Sequence, residues 1–542
     1  MNSRIEPVRV GDRTLLVYPD RPGSLYEALV RTAERVPDRM ALSAETGSRT
    51  YGQLKRRVDE LSAYLAHSLA IRKGERIGLL FPNTMLFCEL MLASGRVGAI
   101  AVLLNAKLTA HEQQFILRHS GCTALVYDPE FEDKAAQLRP RLPELRFIRA
   151  DALECLPADL PASSTAARGS AAMPVVSEGD PCFLMYTSGT TGVPKGALLT
   201  HRNVIHSALN YARVCGTTAD DRTLIAIPLF HVTGLIGQFL HMMMVGGTSV
   251  LLREYSTAAF LSAAIRERVT MMFNVPAIYN LMLLKKETEQ ITTLRLALYG
   301  GAPMPPETIR KLRAMFPGLA LLNAYGATET SSPATLMRPG WPEDKIRSVG
   351  RAVPGAHLIV ADESGRALPP GVTGELWISG AMVIERYWEN ESANKESFAG
   401  PYWKSGDMAM IDEDGYVYIL DRKKDVINRG GEKIYSVEIE ALLAAHPGIA
   451  DAAVVGVPDD IFGERVKAFV VPKDGAALSA EGIRTYVGEH FAPFKVPQEV
   501  SFVEAIPRNP GGKIMKRLLR EKGEEGIAAW RSGVPAERSD AG

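Results

Sequence analysis

The sequence predicts an α/β protein with mainly parallel sheets, followed by a smaller α+β unit. In the first part of the chain, short apolar runs bounded by Gly, Asn or Pro alternate with helical patterns, and after about residue 360 the pattern becomes β-rich. Short apolar runs of this kind indicate buried strands. Alternation of strands and helices is typical of parallel sheets, in which functional loops follow the carboxyl ends of the strands.

Eight apolar runs in this first part are predicted to be core strands. They are Ile77–Phe81, Ala99–Leu104, Ala124–Tyr127, Leu224–Pro228, Ser249–Leu252, Met271–Val275, Leu294–Tyr299 and Leu319–Leu322. Met85–Arg96 carries apolar residues at helical spacing and is predicted to be a helix. The longest apolar stretch, Leu235–Leu252, is interrupted by Gln238 and His241 and is shorter than the roughly 20 residues of a membrane-spanning helix. We therefore expect a buried helix and a strand there, and no membrane span.

The later part of the chain predicts short strands and a compact terminal unit. Residues 371–380 and 415–420 are typical of strands in a β-rich subdomain. After the charged run Asp421–Asp425, Ser436–His446 is predicted to be a helix that Ser436 caps. The rest of the unit is predicted as strands Ala452–Val457 and Val466–Val471, a helix near Ala480–Phe491 and a strand near Glu499–Val503. The polar tail after about Gly523 is expected to be disordered.

Composition and charge exclude several classes of function. The 542 residues carry 62 Lys and Arg against 62 Asp and Glu, so no net field favours nucleic acid or an anionic membrane. The N-terminus has no apolar signal region, and the five cysteines form no CxxC pair. These features favour a cytoplasmic protein with reduced thiols, expected to be a monomer or homodimer. The ten histidines show no HxxxH or HExxH pattern, so a structural zinc site is not expected.

A hydroxyl-rich and glycine-rich segment gives the sharpest chemical signal. Residues 186–196 have the sequence YTSGTTGVPKG. Its glycines allow the backbone to approach a ligand, its hydroxyls add donors, and Lys195 adds a positive charge. The segment is not a Walker loop, because Pro194 precedes Lys195 and a glycine follows it. It therefore predicts a pyrophosphate-binding loop, with a plain surface loop as the alternative.

Further ordered motifs identify a family resemblance. They are PLFHVTG at 228–234, GGAP at 300–303, NAYGATET at 323–330, SGD at 405–407 and PRNPGGKIM at 507–515. Together with the loop, over about residues 20–520, they resemble the adenylate-forming superfamily of acyl-CoA synthetases, peptide-synthetase adenylation domains and beetle luciferases. The resemblance implies a large N-terminal domain of two stacked αβ sheets plus a β-barrel-like subdomain, with a small mobile α+β C-terminal domain. The implied limits are an AMP-binding and acyl-binding domain at 1–420, a hinge at 421–424, a mobile domain at 425–525 and a disordered tail at 526–542.

The resemblance also implies roles for individual residues around the nucleotide. The implied ATP or AMP contacts are Thr187, Ser188, Gly189, Thr190, Thr191, Gly192, Lys195, Gly301, Ala302, Pro303, Asn323, Ala324, Tyr325, Gly326, Thr328, Asp407 and Arg422. In the family pattern Tyr325 packs on adenine, Thr328 binds the α-phosphate, and Asp407 and Arg422 contact the ribose. Glu329, with Thr187, would hold Mg²⁺, because a carboxylate near a polyphosphate needs a cation between them. The alternatives are a solvated loop acid at Glu329 and a β-turn residue at Asp407.

Catalytic and conformational roles follow from the same resemblance. The implied catalytic residues are Lys513, His231, Glu329 and Thr328. Lys513 would bridge the carboxylate and the α-phosphate, offsetting the repulsion of two anions. His231 would lie beside the acyl carboxylate and gate the thiol tunnel. Lys424 is the implied hinge, and Gly430 and Gly431 would border the tunnel for coenzyme A. A structural His, a surface Lys and an ordinary linker charge are the respective alternatives.

These assignments predict an AMP-forming carboxylate–CoA ligase that uses ATP, Mg²⁺ and coenzyme A. The implied acyl pocket is lined by His231, Phe273, Asn274, Val275, Tyr299 and Gly300. These residues include no Arg or Lys, whereas a dicarboxylate would need a second buried cation. We therefore expect a monocarboxylate, either a medium-chain fatty acid or an aromatic or alicyclic acid. Two alternatives are loading of an acid onto a carrier protein and a non-catalytic nucleotide- or acyl-binding regulator, and the intact motifs disfavour the regulator.

Overall fold

A six-stranded sheet lies in the first part of the chain. The structure, a computed structural model, describes residues 4–154, 173–187, 194–508 and 514–531. The strands of this sheet, in spatial order, are Lys195–Thr200, Pro181–Thr187, Ile100–Leu103, Arg76–Leu80, Cys122–Tyr127 and Arg146–Arg149. Every neighbouring pair is parallel except the first. That antiparallel pair brings together the two ends of the predicted phosphate loop.

A second, nine-stranded sheet carries most of the predicted site. Its strands, in spatial order, are Arg351–Ala352, Thr335–Leu336, Ala320–Tyr325, Leu296–Tyr299, Met271–Asn274, Arg222–Ile225, Thr248–Leu251, Met40–Ala44 and Gly47–Thr50. The centre of this sheet, from Ala320–Tyr325 to Met40–Ala44, is parallel. All eight predicted core strands are confirmed, with ends that differ by up to three residues. Their apolar side chains are buried, which is why the runs could be recognised.

Helices pack on both of these sheets. In chain order, the helices of the whole described chain, of which the last three pack against a sheet of the C-terminal unit, are Leu25–Arg35, Tyr51–Ala63, Met85–Arg96, Ala110–Ser120, Glu132–Leu138, Asp151–Glu154, His201–Cys215, Val232–Gly234, His241–Val245, Thr257–Arg266, Pro276–Leu283, Pro306–Met315, Glu391–Ser397, Ser436–Ala445, Ala480–Gly488 and Lys516–Arg531. The helix predicted at Met85–Arg96 is confirmed. The apolar stretch 235–252 forms helical turns followed by the strand Thr248–Leu251, as predicted. Among the described residues no helix is long and apolar enough to cross a bilayer.

Three smaller sheets complete the fold. An antiparallel five-stranded sheet contains Ala356–Ala361, Gly374–Gly380, Tyr402–Ile411, Phe398–Ala399 and Val417–Arg422, which confirms the predicted β-rich segment. The last sheet contains Glu432–Ile434, Ile427–Arg429, Gly463–Pro472, Ile449–Asp459 and Glu499–Phe502, and helices pack against it as predicted. A separate hairpin pairs Glu6–Val10 with Arg13–Val17.

Two details of the terminal unit differ from the predictions. Ser436 is the first residue of its helix rather than the cap, because its backbone N–H and hydroxyl both donate to the buried Asp421 carboxylate, at 2.6 and 2.5 Å. The tail predicted to be disordered from residue 526 is helical through Arg531, with an interruption at Gly523. Ile527, 5% exposed, packs in a cluster with Leu519 and Phe469, which accounts for that order. Residues 532–542 lie outside the described residues.

Candidate active site

The predicted site segments meet at the carboxyl edge of the nine-stranded sheet. The strands Leu296–Tyr299 and Ala320–Tyr325 are parallel neighbours with Tyr299 opposite Asn323, so the residues that follow each strand emerge side by side. A Cβ atom on Gly300 would lie 2.3 Å from the carbonyl oxygen of Ala324, so only glycine fits there. Gly301 has a φ of +77°. The GGAP and NAYGATET motifs therefore form one surface.

Asp407 is the centre of a first polar cluster. The Tyr325 hydroxyl donates to Asp407 Oδ2 at 2.5 Å, and Arg422 Nη1 lies 3.0 Å from Asp407 Oδ1. Asp407 is 6% exposed, and its backbone pairs with Arg422 across two antiparallel strands. Burial and the negative Asp407 raise the pKa of Tyr325, so its hydroxyl stays protonated and donates. Burial alone would lower the pKa of Arg422, but the negative Asp407, together with Tyr325, Asp425 and Glu329, raises it. The structure thus brings together three residues predicted to contact adenosine.

Glu329 is the centre of a second cluster. It lies in a 3-10 turn that begins at the half-buried Thr328, and the Glu329 residue is 8% exposed. Its Oε1 accepts hydrogen bonds from the Tyr387 hydroxyl at 2.9 Å and from Thr187 Oγ1 at 3.4 Å. Within the part of the chain that the structure describes, Oε2 accepts no hydrogen bond. One oxygen of this carboxylate is therefore held in place while the other can bind a cation.

Lys195 lies beside this second cluster. Thr187 and Lys195 are paired across the antiparallel strands on either side of the predicted loop. The Lys195 ammonium group lies 5.5 Å from the centroid of the Tyr387 ring and 3.8 Å from Glu396. The loop residues between them that were predicted to bind phosphate, Ser188, Gly189, Thr190, Thr191 and Gly192, lie outside the described residues.

The arrangement fits a nucleotide with a divalent cation. Glu329 has one oxygen left for Mg²⁺, and Lys195 next to it suits a polyphosphate. A second carboxylate, flanked by Tyr and Arg, suits a ribose. Among the described residues no cluster of three or more His, Cys, Asp or Glu side chains forms a complete protein cage for a metal. A single protein carboxylate with substrate phosphates is how Mg²⁺ is commonly held.

Strand geometry divides the residues predicted to line one acyl pocket. The Phe273 ring packs against Gly237, where an added Cβ atom would lie 2.8 Å from the ring. Phe273 also lies near Gly300. Side chains alternate between the two faces of a strand, so Asn274 faces away from Phe273. Tyr299 is paired with Asn274 in the parallel register and shares its face. Phe273 and Gly300 therefore share one face, and Asn274 and Tyr299 point to the opposite face, while their roles in an acyl pocket stay predictions.

Val275 and Asn323 flank these two groups. Val275 follows the strand, with its Cγ1 atom 3.6 Å from where a Cβ on Gly301 would be. Asn323 is buried opposite Tyr299, and its amide donates to the carbonyl of Ser348 at 3.4 Å. The side chain of Asn323 is therefore buried in the nine-stranded sheet, whereas Val275 borders the GGAP segment. Ala302 is half-buried and Pro303 is exposed on that segment.

His231 is half-buried and is held at the start of a helix. Its ring lies 4.7 Å from the ring of Phe230, and Val232–Gly234 follows it. Asn83, which the sequence analysis missed, fixes the loop before it. Asn83 Oδ1 accepts from the backbone of Leu229 at 2.8 Å, and its amide donates to the carbonyls of Ile225, Ile227 and Leu252 at 3.2–3.3 Å. No local sequence signal marks Asn83, because its partners lie more than 140 residues away.

The remaining predicted residues lie in the C-terminal part. Lys424 is exposed and lies two residues after Arg422. Gly430 and Gly431 form the turn between Ile427–Arg429 and Glu432–Ile434, with φ values of +60° and +93°, so the turn itself accounts for both glycines. A Cβ on Gly430 would lie 3.1 Å from the Phe462 ring. Lys513 lies outside the described residues.

Comparison with known proteins identifies the family. A model described as AMP-binding enzyme matches residues 29–388, and one described as AMP-binding enzyme C-terminal domain matches residues 438–513. A feruloyl-CoA synthase from Amycolatopsis sp is 36% identical over 91% of this chain and 98% of its own length. The long-chain-fatty-acid–CoA ligase FadD13 of Mycobacterium tuberculosis is 35% identical over 87% of this chain and 93% of its own.

A solved structure agrees with these matches. The o-succinylbenzoate coenzyme A synthetase of Bacillus subtilis, in complex with ATP and magnesium ion, has 31% identity and a TM-score of 0.78. The match covers 90% of this chain and 98% of that protein. The resemblance inferred from the motifs is thereby confirmed. The chain belongs to the AMP-binding enzyme family of adenylate-forming acid–CoA ligases.

Proposed function

We propose that this protein activates a monocarboxylic acid with ATP and Mg²⁺ to an acyl-adenylate and then transfers the acyl group to coenzyme A. The observation that carries the proposal is the pairing of Asp407 with Tyr325 and Arg422 on the same edge that presents Glu329 and the ends of the phosphate loop. These groups suit the ribose, the cation and the phosphates of one nucleotide. Two relatives named as a feruloyl-CoA synthase and a long-chain-fatty-acid–CoA ligase support the transfer to coenzyme A.

The residues act on the first step by position and charge. The acid carboxylate attacks the α-phosphorus of ATP, and pyrophosphate leaves. Asp407 would hold the ribose, and Lys195 and Lys513 would offset the charge of the two anions that must approach each other. Mg²⁺ at Glu329, when bound, neutralises the developing phosphate charge. Thr328, at the start of the same turn, is proposed to contact the α-phosphate.

The acid is proposed to be a medium-chain fatty acid or an aromatic or alicyclic acid. The face that carries Phe273, with Gly300 and Gly237 beside it, is apolar, and these residues offer no cation for a second carboxylate. The two curated relatives are named for an aromatic acid and for long-chain fatty acids, which supports both parts of this range. We further propose a cytoplasmic monomer or homodimer.

A screen for AMP release tests the proposal. Purified protein is incubated with ATP, Mg²⁺, coenzyme A and a panel of carboxylic acids, and AMP and thioester are quantified by chromatography. We expect AMP and acyl-CoA in equal amounts with at least one monocarboxylate and none with dicarboxylates such as malonate. Turnover with dicarboxylates alone would contradict the proposed pocket. Thioester formation with carrier proteins but not with coenzyme A would favour the alternative function, loading of an acid onto a carrier protein.

The two half-reactions separate the role of Lys513. Lys513→Ala should largely abolish acid-dependent pyrophosphate exchange while leaving the attack of coenzyme A on preformed acyl-AMP less affected, because the lysine is proposed to act in adenylation. Lys516→Ala is the matched control, since Lys516 pairs with Glu440 and Ser436 instead. Equal loss in both half-reactions for Lys513→Ala would refute the assignment.

A further inference from the structure

Tyr387 joins three sheets beside the proposed nucleotide site. Its backbone forms a bridge with Ala197 of the six-stranded sheet. Its hydroxyl donates to Glu329, which follows a strand of the nine-stranded sheet, and accepts from Trp403 Nε1 of the five-stranded sheet at 3.2 Å. The residue is 3% exposed, and the Asn394 side chain bonds to its backbone N–H and C=O groups. Both the ring and the backbone are therefore held from several sides.

The hydrogen-bond direction through Tyr387 is fixed. The indole N–H of Trp403 is a donor with no acceptor capacity, so the tyrosine oxygen must accept from it. The tyrosine O–H then points to Glu329 Oε1, 2.9 Å away. A tyrosine hydroxyl carries its proton at neutral pH, so it donates to the carboxylate. Trp403 therefore donates to Tyr387, and Tyr387 donates to one carboxylate oxygen of Glu329.

We propose that Tyr387 is the positioning residue that turns the second oxygen of Glu329 toward the metal of the Mg²⁺–nucleotide complex. Tyr387 and, more weakly, Thr187 hold Oε1, which restricts rotation of the carboxylate group. Oε2 is left to bind the cation. A carboxylate that rotates freely would have to be ordered when it binds a cation, which lowers its affinity for the metal. The Tyr387 ring also lies under Lys195, at 5.5 Å, and so supports a second charge of the same site. This inference rests on the proposed function of Glu329 as a metal ligand.

A binding titration tests the role without any acid substrate. Mg²⁺ affinity is measured by calorimetry on the full chain in the presence of an ATP analogue with a methylene group between the α- and β-phosphorus atoms. Tyr387→Phe keeps the ring beneath Lys195 and deletes the hydroxyl alone. We expect the apparent Mg²⁺ affinity to fall about 10-fold, the loss of one hydrogen bond to a charged group, while affinity for the metal-free analogue changes less.

Two control variants make the result specific. Tyr127→Phe deletes another buried tyrosine hydroxyl that donates to a glutamate, Glu132, at 2.8 Å, and it should leave Mg²⁺ affinity unchanged. Trp403→Phe removes the donor behind Tyr387 but keeps the Tyr387–Glu329 bond, so we expect a loss under about 3-fold. Unchanged Mg²⁺ affinity in Tyr387→Phe would overturn the proposal, as would an equal loss in Trp403→Phe.

The remaining outcomes are also decisive. A Tyr387→Phe protein that does not fold would assign the hydroxyl to the core and reject the positioning role. In a Glu329→Gln background the added Tyr387→Phe change should have little further effect on Mg²⁺ affinity, since the two act through one carboxylate. If the unmodified protein does not bind Mg²⁺ with the nucleotide analogue, the proposed function itself fails, which separates that failure from the failure of Tyr387 alone.

Discussion

At the residue scale, Asp407 gives a direct test of nucleotide binding. Asp407→Asn removes the charge that faces Arg422 and the acceptor of the Tyr325 hydroxyl. We expect the KM for ATP to rise about 10- to 100-fold, because hydrogen bonds to a charged group contribute about 1.5–3 kcal/mol. The measurement is the ATP dependence of pyrophosphate exchange. Asp221→Asn, which breaks a structural pair with Arg295, is the control and should lower thermal stability with an unchanged KM.

Gly300 tests the close approach of two neighbouring strands. In Gly300→Ala the new methyl group would meet the carbonyl oxygen of Ala324 at 2.3 Å, so the strand end must move. We expect a loss of about 2–4 kcal/mol in the free energy of unfolding, measured with urea. Gly371→Ala is the comparison, since Gly371 has a φ of +81° with open space around its Cβ position and should lose about 1 kcal/mol from strain alone. Equal losses would show that the contact with Ala324 relaxes freely.

At the element scale, the segment that joins the last two sheets can be tested at Lys424. Proline at position 424 fixes its own φ and restricts Lys423, so it should hinder rotation about this segment. We expect Lys424→Pro to reduce acyl-CoA turnover more than acid-dependent pyrophosphate exchange. Lys424→Ala removes the charge without restricting the backbone and should retain turnover. A Lys424→Pro enzyme with normal turnover would remove this residue as the hinge.

The helix Ser436–Ala445 is attached to the same segment through its first residue. Ser436 Oγ donates to Asp421 and accepts from Lys516 Nζ at 2.6 Å. Ser436→Ala removes both bonds and leaves a buried carboxylate short of a donor, so we expect a loss of about 1–3 kcal/mol in unfolding free energy. Ser62→Ala deletes a buried hydroxyl bonded within its own helix and is the matched control. A loss no larger than that of Ser62→Ala would contradict the attachment.

The elements show how far the sequence could predict this fold. Apolar runs revealed the core strands because a parallel strand is buried on both faces, and motif order located the carboxyl edge of the nine-stranded sheet. Which of the predicted pocket residues share a face of the sheet could not be predicted, because residue type does not tell which side of a sheet a side chain takes. The terminal helix was missed because Gly523 and Gly526 interrupt a run that is mostly polar. Tyr387 and Asn83 gave no signal, since their partners are remote in sequence.

At the scale of the whole molecule, buried histidines make stability depend on pH. His201 Nδ1 accepts from the backbone of Leu25, and His206 Nε2 accepts from that of Tyr18, which attaches the N-terminal segment to the helix His201–Cys215. Burial lowers the pKa of His201 to about 4 and that of His206 to about 3. In the unfolded chain both histidines have a pKa of about 6.5, so below that pH the unfolded state binds more protons than the folded state. This contribution to stability is complete above pH 6.5 and is lost as the pH falls toward 4.

Urea unfolding at several pH values measures this effect. Between pH 6.5 and 5 we expect the free energy of unfolding to fall with a slope that approaches about 1.4 kcal/mol per pH unit for each histidine. His206→Gln keeps an acceptor for the Tyr18 N–H group but cannot be protonated, so it should remove about one proton from the slope. A slope identical to that of the unmodified protein would show that His206 does not titrate on unfolding.

The bonds between Asp421 and Ser436 have a consequence for the proposed domain motion. Asp421 belongs by its backbone to the five-stranded sheet, yet its carboxylate is committed to the first turn of a helix in the C-terminal unit. Asp425, on the other side, pairs with Arg520 of the last helix. Arg422 is still paired with Asp407 in the five-stranded sheet, so the stretch between the two units is Lys423–Lys424, at most about 7 Å when extended. In the proposed domain rotation the bonds between Asp421 and Ser436 would have to break, while so short a connection would keep the small domain beside the active site in both half-reactions.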